Sequence, residues 1–99
     1  MNTPTFDEHG YLTEATEEAI AKWPFDDLPG FLAYVELAWS HHHGRIWKEG
    51  DILKLATGGW SGNESIISAM QNNIVLWSML WQSSHRGGLT ALRLPKVTV

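Results

Sequence analysis

The strongest constraint in this sequence is a series of large apolar side chains at alternating helical spacings. Ile67, Met70, Ile74, Trp77 and Trp81 follow one another at three, four, three and four residues, which places all five on one side of a 3.6-residue helix. Just before them stands Thr57-Gly58-Gly59-Trp60-Ser61-Gly62-Asn63-Glu64. Ser61, three residues ahead of Glu64, reads as a capping box: the serine oxygen accepts from the Glu64 N–H and the carboxylate reaches back. Trp60 is then placed to pack on Ser65 or Ile66 as a hydrophobic staple. Together these features predict a helix over about 61–82, ~30 Å long at 1.5 Å per residue. Its first half is two-sided. Its second half adds Val75, Leu76, Met79 and Leu80 on the other faces, so that end is either buried all round or meets a partner.

Two earlier helices follow from capping and periodicity. Thr13 caps a helix over about 13–23, with Glu14, Glu17 and Glu18 in its first turns, where the helix dipole favours acids. Ala15, Ala19 and Trp23 form its apolar stripe, and Pro24 disfavours helical geometry at Trp23. Asp26 and Asp27 cap a second helix, about 27–43. Pro29 is tolerated in its first turn, Leu28, Leu32, Val35 and Trp39 form one stripe, and Gly44 is the natural stop. Arg45-Ile46-Trp47 and Ile52-Leu53-Lys54-Leu55-Ala56 read as short strands (about 45–47 and 52–56) around a turn at Lys48–Asp51. Gln82 to Gly88 reads as a turn, and about 89–94 as a third strand that Pro95 ends or places at an edge. The expected fold is α+β: three helices on a small antiparallel sheet, one domain over 1–99, with 1–10 a loosely ordered lead-in.

Composition narrows the function classes. With 99 residues the chain needs a rich core, and 43% of its residues are hydrophobic, six of them Trp. Tryptophans build small cores and also anchor interfaces. There is no Cys, which excludes disulfides, thiolate metal sites and a cysteine nucleophile. The first ten residues carry no signal-peptide pattern, and the longest apolar stretch, Ile74 to Trp81, is far short of the ~20 residues of a membrane span. The chain therefore reads as cytoplasmic, with no membrane partner. Net charge is −4 but unevenly spread. Residues 1–36 hold eight acids against Lys22, a balance of −7, and residues 37–99 balance at +3. Such asymmetry marks either a solvated helix face or a surface for a partner of opposite charge.

Segments that might carry chemistry each have a structural explanation. A glycine-rich loop entering a helix is a generic anion site, but no Gly-Lys-Ser/Thr follows Gly58-Gly59 and the spacing is not that of a dinucleotide fingerprint. Turn geometry before a capped helix accounts for it. His41, His42 and His43 invite a metal, yet consecutive helical residues point 100° apart, so at most two of them face one ion; the helix dipole favours histidines there without a ligand. Ser83-Ser84-His85-Arg86-Gly87-Gly88 has a hydroxyl and an imidazole but no nearby acid to orient them. No paired carboxylates stand at catalytic spacing. The expectation is a non-enzymatic protein with no cofactor and no bound metal.

Two segments, the Thr-Gly-Gly-Trp-Ser-Gly-Asn-Glu string and Trp81-x-x-Ser84-x-Arg86-Gly87-Gly88, resemble a family of small uncharacterised bacteriophage and prophage proteins. The likeness covers roughly residues 55–90. Relatives often carry His and an aromatic after Arg-Gly-Gly, where this chain has Leu89 and Thr90. The resemblance implies phage origin, residence in the bacterial host cytoplasm, and no particular chemistry. The resulting expectation is an interaction protein acting on a host protein or protein–nucleic-acid complex, an inhibitor of a defence system such as a CRISPR effector being its most concrete form. Partner-binding candidates are the acids Glu14, Glu17, Glu18, Asp26 and Asp27 and the residues Trp77, Trp81 and Arg86. One alternative is a nucleic-acid or nucleotide binder using Lys54, Arg86, Arg93 and the glycine loop. Net charge −4 opposes direct nucleic-acid binding, which normally needs a basic footprint. Another is a homodimer through Val75, Leu76, Met79 and Leu80.

Overall fold

A computed structural model describes residues 3–95. Among them the chain forms α1 (Glu14–Ala21), α2 (Leu28–Ala38), β1 (Arg45–Glu49), β2 (Ile52–Ala56), α3 (Ser61–Asn72), α4 (Ile74–Leu80), β3 (Trp81–His85) and β4 (Leu89–Arg93). The strands make one antiparallel sheet in the order β1-β2-β4-β3. The architecture is α+β, as the element pattern indicates, but with four helices and four strands rather than three of each.

Local signals account for much of this. The Thr13 hydroxyl accepts the Thr16 N–H at 3.3 Å and starts α1. Asp27 accepts the Gly30 N–H at 3.2 Å and starts α2, with Pro29 in its first turn. The β1–β2 hairpin turns through Gly50 at φ +62° and pairs Arg45 with Ala56 and Glu49 with Ile52. Side chains alternate across the sheet. Ile46, Leu53, Leu55 and Leu92 therefore join the core, while Arg45, Trp47, Glu49, Lys54 and Arg93 lie on the opposite face. The helices supply the rest of the core, chiefly Ile20, Phe31, Val35, Ile66, Met70, Leu76 and Leu80, each at most 1% exposed. Full burial of one such side chain is worth about 1.5–3 kcal/mol.

Three expectations need correction, and each has a tertiary cause. The second helix does not run to 43. It ends at Ala38, Trp39 turns extended (φ −70°, ψ 133°), and His41–His43 form a turn. The Ser40 N–H, which a continuing helix would direct to a carbonyl four residues back, instead donates to the Asn63 side chain at 2.8 Å. The long C-terminal helix is two helices. Asn73 breaks it at φ −85°, ψ 81°; its Oδ1 caps α4 through the Leu76 N–H, and its Nδ2 donates to the Ile20 and Trp23 carbonyls at 3.0 Å each. Finally, the segment read as a turn over 82–88 is mostly strand β3, paired along β4 with a bulge between Trp81 and Ser83. The true turn is confined to 86–88.

Candidate functional site

The glycine-rich segment builds a scaffold for an aromatic stack. Trp60 lies between two rings: His43 at 4.4 Å between centroids with 16° between planes, and Tyr11 at 5.0 Å and 20°. His42 meets His43 edge-on at 4.9 Å. Of the three glycines around Trp60, Gly59 is set by its positive φ of +75° with open space about it, and the other two by close approach. Gly58 has φ +66°, and a Cβ there would overlap the His43 carbonyl oxygen. A Cβ on Gly62 would overlap the Trp60 indole nitrogen. Beneath the stack, Asn63 is 1% exposed. It accepts the Ser40 N–H and donates to the carbonyls of Ser40 (3.1 Å) and Thr57 (3.3 Å). One buried amide thus ties the end of α2 and the exit of β2 to the first turn of α3.

The expected capping box does not form. The α3 N-cap is Trp60, which makes no side-chain capping bond, and the Glu64 N–H bonds the Trp60 carbonyl. The Ser61 hydroxyl donates to the Tyr11 hydroxyl at 3.1 Å. Trp60 stands at the N-cap rather than before it, and its ring stacks on Tyr11 and His43. With this stack and the Phe6–Leu12 bridge, segment 5–13 is fastened to both α1 and the glycine loop. His43 is oriented by Ser40, whose Oγ lies 2.8 Å from Nδ1. Among the described residues, no group of three or more His, Asp or Glu side chains is placed to hold a metal ion.

The second distinctive region is the surface of α4 and the start of β3. Ile74, Val75, Met79 and Trp81 are 74, 52, 56 and 48% exposed. Val75 and Met79 are four residues apart and so share one side of α4. Met79 and Trp81 line one depression with Leu94 and Pro95. The expected apolar surplus at this end is therefore real, but divided. Leu76 and Leu80, read as part of a dimer face, are at most 1% exposed and belong to the core. Trp77 is half-buried and packs on the core. The Trp81 indole donates to the Ser84 hydroxyl at 2.9 Å and keeps its ring at the surface.

The remaining sequence candidates are dispersed. Glu14, Glu17 and Glu18 line a shallow groove between α1 and α3 with Ser65, Ser68 and Asn72. Lys22 hydrogen-bonds Glu18 and, through that bond and its charge, lowers the Glu18 pKa. Asp26 is exposed. Asp27 is engaged in capping and in holding the Trp23 indole, whose N–H lies 3.2 Å from Oδ2. Arg86 is exposed in the β3–β4 turn. Arg93 lies at the other end of β4, held by Asp51 (3.0 Å) and Gln82 (3.0 Å). Lys54 pairs with Glu49 at 2.7 Å, and the Trp47 indole also donates to that carboxylate, so the Glu49 pKa is lowered, chiefly by the Lys54 bond. Arg45 stacks over the Trp47 ring at 4.6 Å. The two buried asparagines, Asn63 and Asn73, are not marked by periodicity or by capping signals. Their signal was a poor helix former inside an otherwise apolar-periodic stretch. No protein-family model, curated protein or solved structure matches the chain.

Proposed function

We propose that this chain is a non-enzymatic interaction protein whose contact surface is the apolar side of α4 with Trp81. The observation that carries this reading is that Ile74, Val75, Met79 and Trp81, close together in the chain, are each about half exposed or more. Soluble proteins rarely leave neighbouring large apolar side chains in water unless another molecule covers them. A broad, open apolar surface of this kind, with its flanking Asp51 and Arg93 already paired with each other, suits a macromolecule rather than a small ligand, which takes a concave pocket with convergent polar groups. Close packing, positive φ and the aromatic stack account for the residues of the glycine loop. The host-directed version, blocking a bacterial defence system, rests on the phage-like segments alone, with the acidic α1 as a second contact for a basic partner.

The nucleic-acid alternative is the weaker one. Lys54 and Arg93 are both paired with carboxylates, and Arg86 lies at the opposite end of β4 from Arg93. That leaves little contiguous positive charge for phosphates. Affinity capture from host lysate, with the wild-type chain and with Val75→Glu, tests the proposal. A partner retained by the wild type and lost by the variant supports it. A partner held equally by both places the contact elsewhere.

A further inference from the structure

From Ser65 to His85 the chain contains no Asp, Glu, Lys or Arg. This uncharged run includes most of α3, all of α4 and all of β3, in a chain whose net charge is −4. β3 is also an edge of the sheet. Among the described residues no strand pairs with it on the side away from β4. An open edge offers a row of backbone donors and acceptors, and proteins usually guard it with charged side chains or proline. The other edge is guarded in this way: β1 carries Arg45, Lys48 and Glu49. β3, Trp81-Gln82-Ser83-Ser84-His85, has no such residue. Its one irregularity is the bulge at the Trp81 end, and Trp81 stands 48% exposed beside it.

Building on the contact-surface reading above, we propose that the partner is a second copy of this chain. The two β3 strands pair antiparallel about a two-fold axis at Ser83, and the two α4 surfaces share the same interface. An antiparallel edge is complementary to itself. With Ser83 on the axis, Trp81 of one copy lies opposite His85 of its partner, and the two sheets become one of eight strands. Charge selects the same surface. Two copies of an acidic chain repel wherever their carboxylates face each other; α4 and β3 carry none, and Asp51, which lines the Met79–Trp81 depression, is neutralised by its ion pair with Arg93. The first charge beyond β3, Arg86, falls at opposite ends of the paired strands. A partner of different sequence would normally be matched by charges around the contact; the two that line the Met79–Trp81 depression, Asp51 and Arg93, are already paired with each other, whereas interfaces between identical subunits are the more apolar class.

The test is sedimentation velocity of the full chain from low to high micromolar concentration, with Val75→Glu and with Leu37→Glu, which alters a 66% exposed residue on α2. The wild type and Leu37→Glu form a reversible dimer of equal affinity, and Val75→Glu weakens it by more than about tenfold. Circular dichroism confirms that the variants fold. Because the chain has no cysteine, Ser83→Cys provides a single thiol on the proposed axis, and mild oxidation yields a disulfide-linked dimer that Leu37→Cys does not. A monomer at every concentration overturns the proposal, as does a dimer that Val75→Glu leaves intact. A dimer weakened by Val75→Glu but without the Ser83→Cys disulfide overturns the strand pairing. A monomer whose capture of a different protein is lost in Val75→Glu overturns the second copy and leaves the contact surface standing.

Discussion

Replacing Asn63 with alanine removes three hydrogen bonds, and their fates differ. The Thr57 carbonyl keeps a bond from the Trp60 N–H at 3.2 Å, and the Ser40 carbonyl keeps one from the Gly44 N–H at 2.9 Å. For those two the loss is that of an ordinary net hydrogen bond, about 0.5–1.5 kcal/mol each. The Ser40 N–H has the Asn63 Oδ1 as its acceptor and is left without it. That bond is only part-buried, so the orphaned donor costs about 1 kcal/mol, the low end of the range for such groups. The combined loss is about 3 kcal/mol, a large share of the ~5–15 kcal/mol available to a domain. In a chain of this size that lowers Tm by roughly 12–24 °C. Urea unfolding followed by far-ultraviolet circular dichroism measures the difference, with an unchanged denaturant slope showing that stability alone has moved. A loss below about 1 kcal/mol would refute the reasoning, because it would mean that the end of α2 and the loop into α3 hold together without this amide.

Other consequences follow from the same geometry. Gly58→Ala meets a backbone oxygen and a positive φ, so it destabilises by more than about 2 kcal/mol; chemical denaturation checks this. Trp60→Ala removes the middle ring of the stack and frees the Tyr11 segment, so limited proteolysis cuts within residues 5–12 faster than in the wild type while the core stays resistant. The lowered pKa values of Glu18 and Glu49 mean that their ion pairs are fully present above the ordinary glutamate range and are lost as pH falls through the lower, folded-state values. The raised pKa of Lys22 means that the same Glu18 pair is lost again as pH rises past the ordinary lysine range. All three groups are exposed, so a pH titration of Tm shows shallow shoulders at both ends, and Glu18→Gln flattens the alkaline limb while the acid limb keeps the part that Glu49 contributes.

The fold was readable in the sequence wherever a local signal decided the backbone. Thr13, Asp27 and Pro24 act on their own neighbours, and strand β2 lies at 52–56 as its residues indicate. It was not readable where a distant side chain decided. Nothing in Leu28–Gly44 announces that Asn63, 23 residues from Ser40, takes the N–H a longer helix would use. Nothing in the regular stripe through Ile74 reveals that Asn73 will reach the carbonyls of Ile20 and Trp23. β3 was hidden for a related reason. Its serines and glutamine suit a turn on propensity, and it becomes a strand because β4 pairs with it. The candidate surface was partly visible: an apolar excess near Trp77 to Trp81 was apparent, but periodicity could not separate Leu76 and Leu80, which fill the core, from Val75 and Met79, which do not. Ser61 and Glu64 form no capping box because α3 starts one residue earlier than the serine signal implies: Trp60 is the N-cap, and its carbonyl takes the Glu64 N–H that the Ser61 oxygen would have accepted.

Contact through α4 and β3, with the glycine segment as scaffold, is open to site-specific photo-crosslinking inside the producing cell, with the photoreactive residue placed at position 75, at position 79, or at position 64 beside the glycine loop. Positions 75 and 79 should give defined adducts, at twice the chain's mass where the partner is a second copy, and position 64 none. Adducts from 64 with none from 75 or 79 would place the contact on the glycine segment instead.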